Sequence, residues 1–64
     1  MIKCNVYEGH TGHYISAYEF PVMPRKDEII IFNNKSYVIV EVKYLLFANG
    51  TVDRPKIFIK ENEV

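Results

Sequence analysis

The segment from Glu28 to Val42, EIIIFNNKSYVIVEV, constrains this chain more than any other. Two runs of β-branched and aromatic residues flank Asn33-Asn34. Asparagine tolerates positive φ, so such a pair between extended runs predicts a two-residue type I′ hairpin. With the turn set there, Phe32 faces Lys35, Ile31 faces Ser36 and Ile30 faces Tyr37. Opposed residues lie on the same side of a sheet. One side then carries Ile30, Phe32, Tyr37 and Ile39, and the other carries Ile29, Ile31, Val38, Val40, Val42 and Tyr44. Both sides are apolar, whereas the wall of an isolated barrel is apolar inside and polar outside.

Two readings of that ribbon compete. A β-bulge near Val40-Glu41 would switch faces and pull Val42, and with it Tyr44, inward, since bulges are common where barrel strands bend. It would leave Ile29, Ile31 and Val38 outside. Alternatively the outer side is covered by another subunit or a partner and continues into Leu45-Leu46-Phe47. Large exposed apolar patches on small proteins mark interaction sites. The expected partner interface is Ile29, Ile31, Val38, Tyr44, Leu46 and Phe47.

The rest of the chain carries strand signals and no helical periodicity. Ile2, Cys4 and Val6 alternate with Lys3, Asn5 and Tyr7, which is the pattern of a half-buried strand. Tyr14 to Phe20 alternates likewise, placing Tyr14, Ser16, Tyr18 and Phe20 on one face. These two runs predict a hairpin with EGHTGH, residues 8–13, as its loop. Pro21 and Pro24 forbid a regular element, so residues 21–27 should cross from one edge of a sheet to another, with Asp27 in a turn or left-handed position. A long fourth run extends from Ser36 to about Phe47, Asn49-Gly50 is a second turn signal, and Ile57-Phe58-Ile59 forms a fifth run before the polar tail Glu61-Asn62-Glu63-Val64. Five short strands in one small domain spanning residues 1–64 predict an all-β, strongly bent barrel on the scale of SH3-like, Sm-like and OB-type folds.

Size and charge narrow the function. A chain of 64 residues buries only about 60% of the surface that its unfolded form exposes, so its stability is marginal. One cysteine makes no internal disulfide, and no Cys/His spacing suits a structural zinc. Oligomerisation or docking on a larger protein is the stabiliser left. Eight basic and eight acidic residues cancel. Phosphate neutralisation normally needs a basic excess, so nucleic-acid binding is not expected. No run approaches a membrane span and the first residues lack a signal-peptide pattern, so the expected setting is the reducing cytoplasm.

The stretch Pro24-Arg25-Lys26-Asp27-Glu28-Ile29-Ile30-Ile31-Phe32-Asn33-Asn34-Lys35-Ser36-Tyr37-Val38-Ile39-Val40-Glu41-Val42 resembles a recurring pattern of small bacterial and phage-encoded SH3-like barrel proteins. That pattern is P-x-x-G-[DE]-x-[VI]-x-[LI]-[ND]-G-x-x-Y-x-V-x-x-V. Asp27 replaces its first glycine and Asn34 its second, and both replacements tolerate positive φ. The resemblance covers about a third of the chain and implies a five-stranded SH3-like barrel. It carries no catalytic residues. Some phage barrels of this size block host immune proteins or sequester nucleotide signals, which implies a phage or bacterial setting by analogy alone, the host-cell cytoplasm if phage-encoded.

Candidate chemistry outside the hairpin is thin. His10 and His13 supply two metal ligands and Glu8 a third, but zinc asks for three or four converging at fixed geometry, and a solvated loop is the expected reading. Cys4 alternates with Ile2 and Val6 and is expected in the core. Tyr14 and Tyr18 offer stacking surfaces, and Arg25-Lys26 with Arg54 and Lys56 offer anion contacts if their two loops converge. The expectation is a non-enzymatic, oligomeric protein-binding module or small inhibitor, needing no cofactor. The alternatives are an oligomeric binder of a nucleotide-like small molecule and, against the neutral charge, an Sm- or OB-like nucleic-acid-binding barrel.

Overall fold

The computed structural model describes residues 1–62, and Glu63 and Val64 of the expected polar tail lie outside the described residues. Five strands form: β1 (Ile2–Glu8), β2 (Tyr14–Phe20), β3 (Ile29–Phe32), β4 (Lys35–Lys43) and β5 (Lys56–Glu61). They make one sheet in the order β2-β1-β5-β4-β3. The fold is all-β, a small SH3-like barrel whose single sheet is strongly curled into a half-barrel. All neighbours run antiparallel except β1 and β5, which are parallel.

Turn chemistry places the strands. Asn33 and Asn34 take φ of 50° and 63°, as a type I′ turn requires at both central positions. The ladder pairs Ile29 with Val38, Ile30 with Tyr37, Ile31 with Ser36 and Phe32 with Lys35, the register expected from that turn. Asp27 is left-handed at φ 73°, and its N–H donates to the Ile39 carbonyl at 2.8 Å. The proline-bearing segment before it carries the chain from β2 to β3, which are the two edges of the sheet.

β5 is the middle strand, and its Ile57 and Ile59 are buried with Cys4, Val6 and Ile39 as the core. Ile2, Tyr18, Phe20, Met23, Ile30, Tyr37 and Val42 pack around these five at partial burial. The β4–β5 register shifts between Ile39 and Glu41, so a bulge sits at Val40, as in the first of the two competing readings of the ribbon. It turns Val42 to pair with buried Ile57 and join the core. The switch does not reach Tyr44, which stays exposed because β4 ends at Lys43.

Two sequence expectations are corrected. The fourth run does not continue to Phe47 as one strand. Beyond Lys43 the chain forms a separate hairpin arm, with Leu46 bridging Val52 and the Asp53 N–H donating to the Leu45 carbonyl. Its tip is a three-residue loop: Gly50, at φ 88°, donates to the Phe47 carbonyl, and the Phe47 N–H donates to Thr51. Secondly, Tyr14 and Tyr18 do not share a face. A register shift between Val6 and Tyr7 sets Tyr18 opposite buried Cys4 and Tyr14 opposite outward Tyr7, with Ile15 as the extra residue.

Candidate functional site

Exposed large apolar side chains cluster along β3 and on the arm. Ile31 is 77% exposed and Ile29 53%, both projecting from an edge strand that contains no charged residue. Val38, opposite Ile29, is half-buried and lines a shallow hollow with His10, Lys60 and Asn62. On the arm, Tyr44, Leu45, Leu46, Phe47 and Val52 are all exposed, and none of them belongs to the buried core cluster. Leu46 and Val52, as a bridged pair, share one face, so by alternation Leu45 and Phe47 lie on the other.

These two patches are not continuous in one molecule. Ile29 meets β4 at Val38, whereas the arm departs after Lys43, roughly 16 Å further along the strand at the usual rise per residue. The molecule is correspondingly long, 43 Å by 25 Å by 19 Å.

Between the free edges of β2 and β3 runs an apolar groove of about 290 Å³. Ile15, Tyr18 and Phe20 line it from β2, and Ile30, Ile31 and Phe32 from β3. The Tyr18 and Phe32 rings meet edge-on across it, with centroids 5.3 Å apart.

A third feature escaped the sequence reading. On the convex face, Tyr7 stacks on Phe58 at 5.1 Å and meets Tyr14 edge-on at 5.5 Å. Lys56 lies over the Tyr7 ring at 5.9 Å and Lys43 over Phe58 at 5.2 Å, both within cation–π range. Parallel pairing of β1 with β5 sets Tyr7 beside Phe58, and no local pattern in either strand encodes that neighbourhood.

The two basic loops are anchored at different levels of β4. The Arg25-Lys26 turn is held near Ile39 through Asp27, and Glu28 accepts from the Arg25 N–H at 2.7 Å. Lys56 instead pairs with Lys43, and the Arg54 N–H donates to the Asp53 carboxylate. Of the four, Lys56 joins an aromatic cluster.

EGHTGH is a self-contained turn. The Glu8 carboxylate accepts from the His10 N–H at 3.0 Å, the Thr11 N–H at 2.6 Å and the Thr11 hydroxyl at 2.8 Å. Those donors, the His10 N–H foremost, hold its carboxyl below the ordinary value. His10 and His13 are exposed, and among the described residues no three His, Cys, Asp or Glu side chains gather as a metal cluster. Cys4 is fully buried, and burial pushes its thiol pKa up, away from the reactive thiolate. Among the described residues no helix is long and apolar enough to cross a membrane.

Comparison with protein-family models, curated proteins and solved structures finds no match for this chain.

Proposed function

We propose that this protein is a non-enzymatic binding module that works through its apolar β-surface and is oligomeric in its working state. The observation that carries this reading is the exposure of Ile29 and Ile31 side by side on an uncharged edge strand. Free edges of that kind are normally blunted by charge, proline or a covering element. Leu46 and Phe47 on the arm extend the same logic, because an isolated two-stranded hairpin is marginal in water. A partner that covers these residues removes both liabilities. The resemblance of residues 24–42 to phage and bacterial barrels suggests a small inhibitor acting in the cytoplasm of a host cell.

The test is affinity capture from the native host with wild-type chain and with Ile31→Glu, combined with light scattering on each. The reading expects either a defined oligomer or a specific partner, lost in Ile31→Glu while the fold persists. A monomeric chain whose captured proteins are identical for both variants contradicts it.

A second reading is favoured by the convex cluster. Tyr14, Tyr7 and Phe58 with Lys43 and Lys56 combine ring faces with cations, the chemistry that holds a nucleotide-like small molecule. Ligand-dependent thermal stabilisation by nucleotides, abolished by Lys56→Ala, supports it. No shift with any nucleotide removes it.

A further inference from the structure

We propose that Asn49-Gly50, at the tip of the arm, is a self-modifying site. The Gly50 backbone nitrogen attacks the Asn49 side-chain amide and converts that residue to aspartate and isoaspartate. This is the only Asn-Gly step in the sequence. Both residues are exposed, so water reaches them. The chemistry needs no partner and is independent of the binding-module reading.

The tip supplies a nucleophile and an activated electrophile in neighbouring residues, so the attack is intramolecular. Gly50 has no side chain to crowd its nitrogen, and the space where a Cβ would stand is open, with nothing within 4 Å. On the other side of the reaction, Asn49 Oδ1 accepts from the Thr51 N–H at 3.0 Å and from the Thr51 hydroxyl at 2.7 Å. A backbone N–H only donates, so the amide oxygen, not its nitrogen, faces Thr51. That oxygen gathers negative charge when a nucleophile adds to Cγ. Two donors already aimed at it stabilise the charge as it forms.

One contact opposes the reaction. The Gly50 N–H donates to the Phe47 carbonyl at 3.0 Å, and this bond must open before the nitrogen can attack. The arm is held by the Leu46–Val52 bridge and its own turn bonds, and its apolar residues lie outside the buried core cluster. Segments of that kind open locally at small cost.

The steps balance without an oxidant or reductant. Hydroxide takes the Gly50 N–H proton, and the nitrogen bonds to Asn49 Cγ. The Cγ–Nδ2 bond then breaks, and Nδ2 leaves as ammonia with a proton from water, which returns the hydroxide. Water opens the resulting cyclic imide at either carbonyl, giving aspartate or isoaspartate. Water is consumed and ammonia released. A chain of formal charge zero gains a negative charge, placed between Phe47 and Val52 on the apolar arm.

The test holds the full chain in mildly alkaline buffer for days, folded and in urea, and samples it by ion exchange and peptide mass mapping. In the folded chain an acidic species is expected, mapped to Asn49 as mixed aspartate and isoaspartate, formed faster at higher pH and ahead of any change at Asn5, Asn33, Asn34 or Asn62. Thr51→Val removes the hydroxyl donor and keeps the N–H, and should slow conversion several-fold when folded. Thr51→Ser should keep the wild-type rate. In urea, where the tip is not formed, wild type and both variants should convert alike. Thr51 is exposed, and an unchanged circular dichroism spectrum verifies the fold of each variant. The proposal is overturned if Asn49 stays intact in the folded chain while converting in urea, or if folded Thr51→Val converts as fast as wild type or faster, since the Thr51 contacts would then protect the amide.

Discussion

The ring of Tyr18 on β2 meets the ring of Phe32 on β3 edge-on at 5.3 Å, although the two strands are the opposite ends of the sheet order. The half-barrel is thus held across its mouth by side chains, while its hydrogen-bonded ladder stays open. Phe32 also tilts against Tyr37 at 6.3 Å, which ties the contact to β4.

Phe32→Ala should therefore loosen the mouth as well as lose packing. Because Phe32 is only half-buried, the expected loss is about 2–3 kcal/mol, below the range for a fully buried phenylalanine. Urea denaturation followed by circular dichroism measures it. A loss under about 0.5 kcal/mol would show that the two edges are positioned without this contact.

Gly9→Ala tests how closely the EGHTGH turn sits on the sheet. A Cβ at Gly9 would lie 2.9 Å from Val40 Cγ2 and 3.0 Å from the Ile59 carbonyl oxygen. The Gly9 N–H donates to that same oxygen, so the turn has no room to retreat without breaking the bond. The expected destabilisation is about 1–3 kcal/mol, the usual result of forcing atoms into a packed site. A neutral result in thermal unfolding would mean the loop stands off β5.

Glu8 links loop order to acidity. Its carboxyl titrates below the ordinary 4.5 because three donors, led by the His10 N–H, favour the charged form. A carboxylate depressed in the folded state stabilises the fold above its unfolded pKa, and that contribution disappears as pH falls through the folded value. Glu8→Gln should accordingly melt below wild type at pH 7, with the gap closing as the pH drops under about 4. Melting curves across that range check it, and a gap that widens in acid would reverse the assignment.

Asn34 adopts φ 63°, a left-handed conformation that glycine takes without strain. Asn34→Gly should stabilise the protein by a few tenths to about 1 kcal/mol, and Asn34→Val should destabilise it by about 1–2 kcal/mol. Chemical denaturation of the pair measures both, and equal stabilities would contradict a type I′ turn.

Much of the fold was legible because turn residues and alternation fix register locally. Asn33-Asn34 dictated which of Ile29 to Phe32 face inward, and Asp27 and the two prolines marked the edge-to-edge crossing. The bulge at Val40 could be anticipated because the apolar pattern changes phase there. Ile15 carries no such mark, being a β-branched residue in a β-branched and aromatic run, so the separation of Tyr14 from Tyr18 was hidden. The arm was hidden for a related reason. Tyr44 to Phe47 continues the apolar run of β4, and only the start of β5 at Lys56, after Pro55, decides where pairing stops. The convex Tyr7–Phe58 stack depends on a parallel pairing between the first and last strands, a non-local event without a signature in either segment.

The central claim is that Ile31 is covered when the protein works. Carbene footprinting of the chain in the cells that produce it measures this most directly, with Val22 as an internal reference because it is 68% exposed and outside the proposed surface, against 77% for Ile31. The account predicts that Ile31 labels several-fold less than Val22, and that Ile31→Glu restores labelling of neighbouring Ile29. Labelling of Ile31 as strong as that of Val22 would contradict it.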